Sequence, residues 1–339
     1  MKAEVFFAFL QNFTDNLTVV NLEMYNNRDL VKIICNKDDF MRNRIEALKK
    51  EKNAVIMAHY YAPDEVQEIA DFVGDSFYLA KVAKESTADI IVFCGVAFMG
   101  ESAKILCPDK KVLMPDLTAD CPMAHMVKEG KIEEMRENYP DLAVVCYINS
   151  TAELKCKSDV CVTSSNAVKI VKALPNKNIF FIPDRNLGRF VAAQVPEKNI
   201  ILNDGCCPIH AEVTAAQVKT VMLEHKDALV LCHPECEQEV LNLSAFSGST
   251  AEIIDYAKAS EAKEFIICTE EGVAFKLRSD NPDKKFYFPS PCPTCRDMKL
   301  NTVENVLKVL ENEENQVEVD KCVRTHALLP LNRMLELGK

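Results

Sequence analysis

The sequence predicts an α/β protein made of three homologous three-layer αβα domains, each with a parallel sheet. Short apolar runs rich in Val, Ile and Phe alternate with helix-like patterns along most of the 339 residues. Strands separated by helices are typical of parallel sheets with helical crossovers. The same pattern occurs three times along the chain, so we expect three units arranged around a pseudo-threefold axis.

The apolar runs indicate nine strands. Each run is short, contains β-branched or aromatic residues, and is followed by a helix-like pattern or a turn. In chain order the runs are residues 54–58, 90–96, 112–114, 143–148, 179–182, 200–202, 228–232, 264–268 and 286–288.

The repeat is defined by four landmarks that keep one order and nearly one spacing in all three copies. They are a polar residue at the end of the first strand, a serine before a helix, the start of a second strand, and a cysteine. In chain order they are His59, Tyr147 and His233; Ser76, Ser164 and Ser249; residues 90, 178 and 264; and Cys121, Cys207 and Cys295. Every interval between copies is 85 to 88 residues, so corresponding residues are expected to converge on the shared axis.

The repeat sets the predicted domain boundaries. Each unit of this length is a domain of common size. The predicted segments are residues 1–40, an N-terminal extension with the first helix; 41–121, 122–207 and 208–295, the three α/β repeats; and 296–339, a C-terminal helical segment that packs back on the first repeat.

Composition narrows the class of protein. The formal net charge is -11, and no basic run is interleaved with aromatics, so nucleic acid is not an expected partner. No apolar stretch approaches the roughly 18 residues of a membrane span. The start of the chain also lacks the pattern of a secretory signal, so we expect a cytoplasmic protein without a membrane partner.

The chain contains 15 cysteines, which in a reducing compartment indicates metal or redox chemistry rather than a disulfide framework. Five of them lie in apolar, strand-like runs, where cysteine usually behaves as a small hydrophobe. We expect these five in the core: Cys94, Cys146, Cys161, Cys232 and Cys268.

The other landmarks suit a ligand site. In open α/β sheets, ligands bind beyond the carboxyl ends of the strands, where His59, Tyr147 and His233 are expected. Serine is a good N-cap, and a helix N-terminus attracts anions. For a single serine, plain capping is the simpler interpretation. Three equivalent caps facing one centre predict a ligand with several anionic groups.

The three repeated cysteines supply three thiolates, for which two chemistries compete. Tetrahedral zinc requires a fourth protein ligand, whereas a cubane iron–sulfur cluster can be held by three thiolates with one iron left open. An open iron acts as a Lewis acid on a substrate oxygen or nitrogen. The spacing alone leaves both chemistries open.

Seven stretches of the chain are distinctive: AHYY at 58–61, EVQEIADFVGDS at 65–76, FMGESAKIL at 98–106, YINSTAE at 147–153, TSSNAV at 163–168, PDRNLG at 183–188 and HPEC at 233–236. In these stretches, and from about residue 49 to its end, the chain resembles the quinolinate synthases. The resemblance implies three similar domains and a [4Fe-4S] cluster. It also implies the condensation of iminoaspartate with dihydroxyacetone phosphate to quinolinate, with loss of phosphate and two waters, on the route to NAD.

The resemblance also implies residue roles. The cluster ligands are Cys121, Cys207 and Cys295 rather than their neighbours Cys94, Cys206 and Cys292. Glu235 is the general base, and Tyr61, His59, His233 and Tyr147 form the rest of the catalytic wall with the substrate-binding Asn149. His210 lines the site beside the cluster, and the substrate carboxylates and phosphate bind at Ser76, Ser164, Ser249 and Thr250. An aspartate-oxidising enzyme is the implied supplier of the imine.

Two departures from the family pattern are Ala62, where glutamine is common, and Pro208 after the second cysteine. Neither departure removes a predicted cluster ligand.

Two rival interpretations of the sequence remain. One is a non-catalytic protein with zinc on the cysteines that binds an anionic metabolite. The other is a thiol–disulfide oxidoreductase using the Cys292-x-x-Cys295 pair, which leaves the repeated Cys121 and Cys207 unexplained.

Overall fold

The computed structural model describes residues 27–339, with side chains from residue 38 onward. The chain divides into two compact units, Met1–Asn43 and Arg44–Lys339. The described part of the first unit belongs to one helix, and all the strands among the described residues lie in the second. The predicted N-terminal extension falls largely outside the described residues.

The strands are β1 Ala54–His59, β2 Phe72–Gly74, β3 Ile90–Cys94, β4 Lys111–Leu113, β5 Leu142–Tyr147, β6 Val160–Val162, β7 Asn178–Ile182, β8 Asn199–Leu202, β9 Leu229–Cys232, β10 Phe246–Ser247, β11 Glu264–Cys268 and β12 Lys285–Tyr287. The helices are α1 Asn27–Glu51, α2 Asp64–Ile69, α3 Ser76–Glu85, α4 Ala97–Leu106, α5 Lys131–Asn138, α6 Ala152–Cys156, α7 Ala167–Ala173, α8 Arg185–Gln194, α9 Pro208–Ala211, α10 Ala215–Glu224, α11 Gln238–Leu241, α12 Thr250–Ala259, α13 Val273–Asp280, α14 Val303–Asn312 and α15 Lys321–Leu337. Two 3-10 turns lie at Pro122–His125 and Met298–Leu300.

The strands form three parallel four-stranded sheets with one shared topology. Their orders are β2-β1-β3-β4, β6-β5-β7-β8 and β10-β9-β11-β12. The central pairs have matching registers, since Ala54 pairs with Ile90 and Leu142 with Asn178. The α/β class and the threefold repetition predicted from the sequence are therefore confirmed.

The third sheet illustrates the three-layer arrangement. Alternate residues along its central strands belong to two separate apolar clusters, one on each face. One face carries Val230, Cys232, Ile266 and Cys268, and the other carries Leu231, Phe265 and Ile267. Because both faces are covered, the strands are apolar at nearly every position, as is typical of buried parallel sheets. The five cysteines expected in the core are all buried.

Three strands of the structure lie outside the nine predicted runs: β2, β6 and β10, although Cys161 of β6 was expected in an apolar, strand-like segment. Each is two or three residues long and occupies the same edge of its sheet, beside β1, β5 or β9. Runs this short carry no periodic signal. They become strands because the sheet already formed by the longer runs offers them backbone partners.

The C-terminal segment packs on two of the repeats. Helix α14 lies against β3 of the first repeat, and α15 contacts α4 of the first repeat together with α6, α7 and β6 of the second. The predicted segment boundaries themselves stay a prediction. Among the helices of the described residues, none is long and apolar enough to cross a bilayer.

Candidate functional site

A cavity of about 630 Å³ opens where the central strands of the three sheets end. Thirteen of the residues predicted for the site line it: His59, Tyr61, Ser76, Cys121, Tyr147, Asn149, Ser164, Cys207, His210, His233, Glu235, Thr250 and Cys295. Ser249 is the predicted residue that does not line it. The volume is within the range that holds a small metabolite.

The sheets position the polar wall of this cavity. His59 and Tyr147 are the last residues of β1 and β5, and His233 follows the last residue of β9. A second polar residue lies two positions further on in each unit, namely Tyr61, Asn149 and Glu235. Because the three strands are equivalent, three such pairs are delivered to one cavity.

The backbone fixes the orientation of two imidazoles. The amide of Tyr61 donates to Nδ1 of His59 at 3.2 Å, and the amide of Glu235 donates to Nδ1 of His233 at 3.3 Å. Burial lowers the pKa of each of these histidines to about 3. Both rings are therefore neutral near pH 7 with their proton on Nε2, which makes Nε2 a hydrogen-bond donor.

Glu235 lies at the centre of the buried polar cluster. Its Oε2 is 2.8 Å from Nδ1 of His210 and 3.4 Å from Nδ1 of His233. Burial raises the pKa of this carboxyl, but its contact with the His210 imidazole outweighs that effect and lowers the pKa to about 2. Glu235 is thus ionised at neutral pH and able to accept a proton.

Glu235 begins a chain of hydrogen bonds that crosses the site. His210 contacts Glu235 through Nδ1, and Nε2 of the same ring lies 2.9 Å from the hydroxyl of Thr269. That hydroxyl lies 2.7 Å from the phenol of Tyr61, which also contacts Thr250 at 2.7 Å. The chain joins residues of the first and third repeats, and it can carry a proton between Glu235 and Tyr61.

Two acceptors in this cavity have no donor. Oδ1 of Asn149 and Oε1 of Glu235 are buried, and among the described residues no hydrogen-bond partner reaches either. The hydroxyl of Tyr147 is close enough to contribute to the lowered pKa of Glu235 without forming a well-oriented bond to Oε1. Since an unpaired buried acceptor is costly, both atoms point to a ligand that brings N–H or O–H donors.

The expectation of three equivalent serine caps was wrong for two of them. Asp75 caps α3 by accepting from the amide of Tyr78, so Ser76 is already inside the helix. In the second unit α7 begins at Ala167 with Asn166 at the N-cap position, which leaves Ser164 in the loop before it. The reason is local: other polar residues occupy the cap positions, and Ser76 and Ser164 line the cavity instead.

Ser249 is a genuine cap. Its hydroxyl accepts from the amide of Glu252, whose carboxylate accepts the Ser249 amide in return, and the residue is fully buried. The neighbouring Thr250 lines the cavity. Direct contact between a ligand and the Ser249 side chain therefore stays a prediction without support from the geometry.

The three repeated cysteines all face the cavity as free thiols. Burial is the main cause that raises the pKa of the Cys121 and Cys207 thiols; Cys295 contributes to the rise at Cys121, and Cys121 to the rise at Cys207. These effects indicate that Cys121 lies near both Cys295 and Cys207. Cys94 and Cys206 do not line the cavity, whereas the exposed Cys292 does.

The spacing of the thiols bears on which metal they suit. Within residues 38–339, one set of metal-ligating side chains is compact enough for a single ion, namely Cys207, His210 and Glu235, whose ligand atoms lie within 4.8 Å of one another. The three cysteines do not form such a set. Thiolates on one zinc ion lie roughly 4 Å apart, so this donor set fits a multinuclear cluster better than a single zinc ion.

Four polar residues around the site were not predicted from the sequence: Thr269, Lys299, Asp184 and Glu270. Thr269 links His210 to Tyr61, and Lys299 forms an ion pair with Glu270 at 3.0 Å and donates to the Tyr61 carbonyl at 2.9 Å. Asp184 and Glu270 are 86 residues apart, which is the interval of the repeat. Extending the repeat to all polar residues would have found this pair.

Comparisons with known proteins agree on one family. The family model described as NadA, quinolinate synthetase A protein, matches residues 43–336. A quinolinate synthase of Caldicellulosiruptor saccharolyticus is 53% identical over 298 residues, covering 88% of this chain and 98% of the relative. Quinolinate synthases of Fusobacterium nucleatum and Clostridioides difficile are 52% and 48% identical, covering 88% and 89% of this chain and 99% of each relative.

Proposed function

Because the chain belongs to the quinolinate synthetase A family, we propose that it condenses iminoaspartate with dihydroxyacetone phosphate to form quinolinate, with loss of phosphate and two waters, in NAD biosynthesis. The observation that carries this proposal is the single cavity in which thirteen residues from three repeats meet. Its volume of about 630 Å³ suits two small substrates held together.

In this proposal, Cys121, Cys207 and Cys295 hold a [4Fe-4S] cluster. Such a cluster, bound by three thiolates, supplies one iron with an open position that acts as a Lewis acid on a substrate oxygen or nitrogen. The location of the three thiols on the cavity wall supports this assignment. Cys94, in contrast, is buried away from the cavity, so its thiol would not reach a cluster bound there.

The substrates carry carboxylate and phosphate groups, which the polar rim is suited to bind. Helices α3 and α12 are ten residues long and begin at the cavity wall with Ser76 and Thr250. One amide at each helix start is already bonded, to Asp75 in α3 and to Ser249 in α12, so the N–H groups that remain free and the hydroxyls of Ser76 and Thr250 would bind the anions. The hydroxyl of Ser164 completes the set from the second repeat. Anion binding by these three residues would place the reacting carbons near the cysteines.

Proton transfer is assigned to the buried cluster. Oε2 of Glu235 is already occupied by His210, so the unpartnered Oε1 is the atom that would take a proton from substrate. The chain through His210 and Thr269 to Tyr61 would hold the Glu235 carboxylate and the Tyr61 phenol in fixed orientations on the cavity wall. His59 and His233 donate from Nε2 and would stabilise developing oxyanions. Asn149 and Tyr147 would orient the imine nitrogen and hydroxyl groups.

The rival function is a non-catalytic metal protein that binds an anionic metabolite. One observation favours it, the compact set of Cys207, His210 and Glu235. The two functions differ in the metal they require.

The imine substrate hydrolyses in water, so the proposed function also needs an aspartate-oxidising enzyme to supply it. That supplier stays a prediction.

The test is to purify the full chain without oxygen and measure iron, sulfide and quinolinate formation. We expect about four irons and four sulfides per chain for a cubane cluster, with product formed from both substrates. Replacing Cys121, Cys207 or Cys295 by Ala should remove the cluster. Cys206→Ala is the matched control, since Cys206 adjoins Cys207 but does not line the cavity. A zinc-loaded, colourless protein, or equal cluster loss in the control, would refute the proposal.

A further inference from the structure

Two buried carboxylates hold the backbone of two cavity cysteines. Oδ2 of Asp184 accepts from the amide of Cys207 at 3.0 Å, and Oε1 of Glu270 accepts from the amide of Cys295 at 3.0 Å. Asp184 is 0% and Glu270 1% exposed. A buried carboxylate is costly unless it is well bonded, so these contacts require an explanation.

The two carboxylates are equivalent by the repeat. Asp184 lies two residues after the last residue of β7, and Glu270 lies two residues after the last residue of β11. The equivalent position in the first repeat is Val96, 88 residues before Asp184. There the amide of Cys121 bonds instead to Oδ1 of the adjacent Asp120 at 2.7 Å. The second and third repeats thus place a carboxylate at the same structural position, and in each the carboxylate accepts from the amide of the repeated cysteine.

Each carboxylate also anchors the start of the helix that follows its strand. Oδ1 of Asp184 accepts from the amide of Leu187 at 2.7 Å and so caps α8. Oε2 of Glu270 accepts from the amide of Gly272 at 2.7 Å, and Lys299 pairs with Oε1. One oxygen therefore holds the start of the next helix while the other holds the cysteine amide. An amide side chain has a single acceptor oxygen and could not do both.

We propose that Asp184 and Glu270 are positioning residues for the Cys207 and Cys295 thiolates. Each carboxylate ties a cysteine-bearing loop to the start of the helix that follows a central strand, which fixes the direction of the Cα–Cβ bond and hence the place of the sulfur. Through Lys299, which also donates to the carbonyl of Tyr61, Glu270 connects Cys295 to the first repeat. The inference rests on the proposed cluster ligands but not on the proposed reaction.

The variant that tests the proposal most directly is Asp184→Ser. Serine is a good N-cap, so the bond to Leu187 and the start of α8 are kept, while the shorter side chain cannot also reach Cys207. The matched control is Asp320→Ser at the N-cap of α15. Asp320 accepts from the amides of Cys322 and Val323 at 2.8 and 3.1 Å, and it does not line the cavity. Glu270→Gln is the corresponding variant in the third repeat.

The first measurement is the rate at which a chelator removes iron from the full chain without oxygen, together with the melting temperature. Loss of an outer partner of a metal ligand typically weakens metal binding by 10–100-fold. We expect iron loss at least about tenfold faster in Asp184→Ser and Glu270→Gln, and unchanged in Asp320→Ser. Unchanged iron loss in a folded Asp184→Ser variant would overturn the proposal, as would an equal effect in the control.

The second measurement needs no cluster. In the cluster-free full chain, alkylation of each cysteine by iodoacetamide is followed by mass spectrometry. We expect Asp184→Ser to change the alkylation rate of Cys207 several-fold relative to Cys206, while Cys322 is unaffected. Equal ratios in the variant and the parent chain would refute positioning by Asp184. If the parent chain holds no iron, the proposed function fails, but this ratio still decides the present inference.

Discussion

Replacing Glu235 by Gln should abolish most turnover while leaving the site assembled. Glutamine has the shape of the carboxylate, and its carbonyl oxygen can keep the 2.8 Å contact with Nδ1 of His210. Its amide nitrogen then occupies the position of Oε1, the buried acceptor that lacks a partner. The variant thus removes a proton acceptor and the negative charge with little change in packing.

The expected size follows from the role assigned to Oε1. A positioned general base contributes about 10²–10⁴-fold to the rate, or roughly 2.7 to 5.5 kcal/mol of transition-state stabilisation. We therefore expect kcat for quinolinate formation to fall by that factor, with KM within about threefold of the parent value. Iron and sulfide content should not change, because Glu235 is not one of the three thiolates.

The assay is steady-state quinolinate formation under anaerobic conditions, with both substrates supplied and iron content measured on the same samples. Glu239→Gln is the control, since Glu239 is an exposed residue of α11 four positions further on. If Glu235→Gln retains kcat within about threefold, Oε1 is not the proton acceptor. If the variant also loses iron, its effect comes from the cluster and the argument from proton transfer is wrong.

Three further predictions follow from the site and the core. Tyr61→Phe breaks the hydrogen-bond chain and leaves two threonine hydroxyls without their phenol partner; we expect kcat to fall about 10–100-fold and the free energy of unfolding by about 1 kcal/mol, measured by kinetics and urea denaturation. Ser249→Ala should lower the free energy of unfolding by about 0.5–2 kcal/mol through the lost cap. Its KM should stay within about threefold, and a larger rise would show that the hydroxyl contacts substrate. Leu331→Ala, at a fully buried position of α15, should lower the free energy of unfolding by about 2–5 kcal/mol; a loss below 1 kcal/mol in denaturant melts would contradict the described packing of α15.

Much of the fold was predictable because its signals are long and repeated. A central strand such as β5 is an unbroken apolar run, and the same order of landmarks appears three times. The edge strands β2 and β10 were not predicted, and β6 was indicated only by the apolar neighbours of Cys161, since these strands are two or three residues long and form only beside an existing strand. The C-terminal segment was predicted to pack on the first repeat alone, so the packing of α15 against both the first and second repeats was not predicted.

In the site, repetition selected residue positions but not their contacts. The interval of the repeat picked out Cys207, which lines the cavity, and passed over the adjacent Cys206, which does not. It also paired Ser249 with Ser76 and Ser164, although these three side chains have different local roles. Thr269 escaped notice because a threonine after an apolar strand has no distinctive signal.

The sequence by itself determined three repeated α/β units with parallel sheets and the delivery of one cysteine and one polar strand end from each. Periodicity and spacing are sufficient for this, because they state which residues occupy equivalent positions. Only the tertiary structure decided that Glu235, His210, Thr269 and Tyr61 form one hydrogen-bonded chain, and that Asp184 and Glu270 hold the cysteine amides. Such bonds exist or fail over differences of a few tenths of an ångström. Those distances are set by how three separate sheets pack together, which no local pattern encodes.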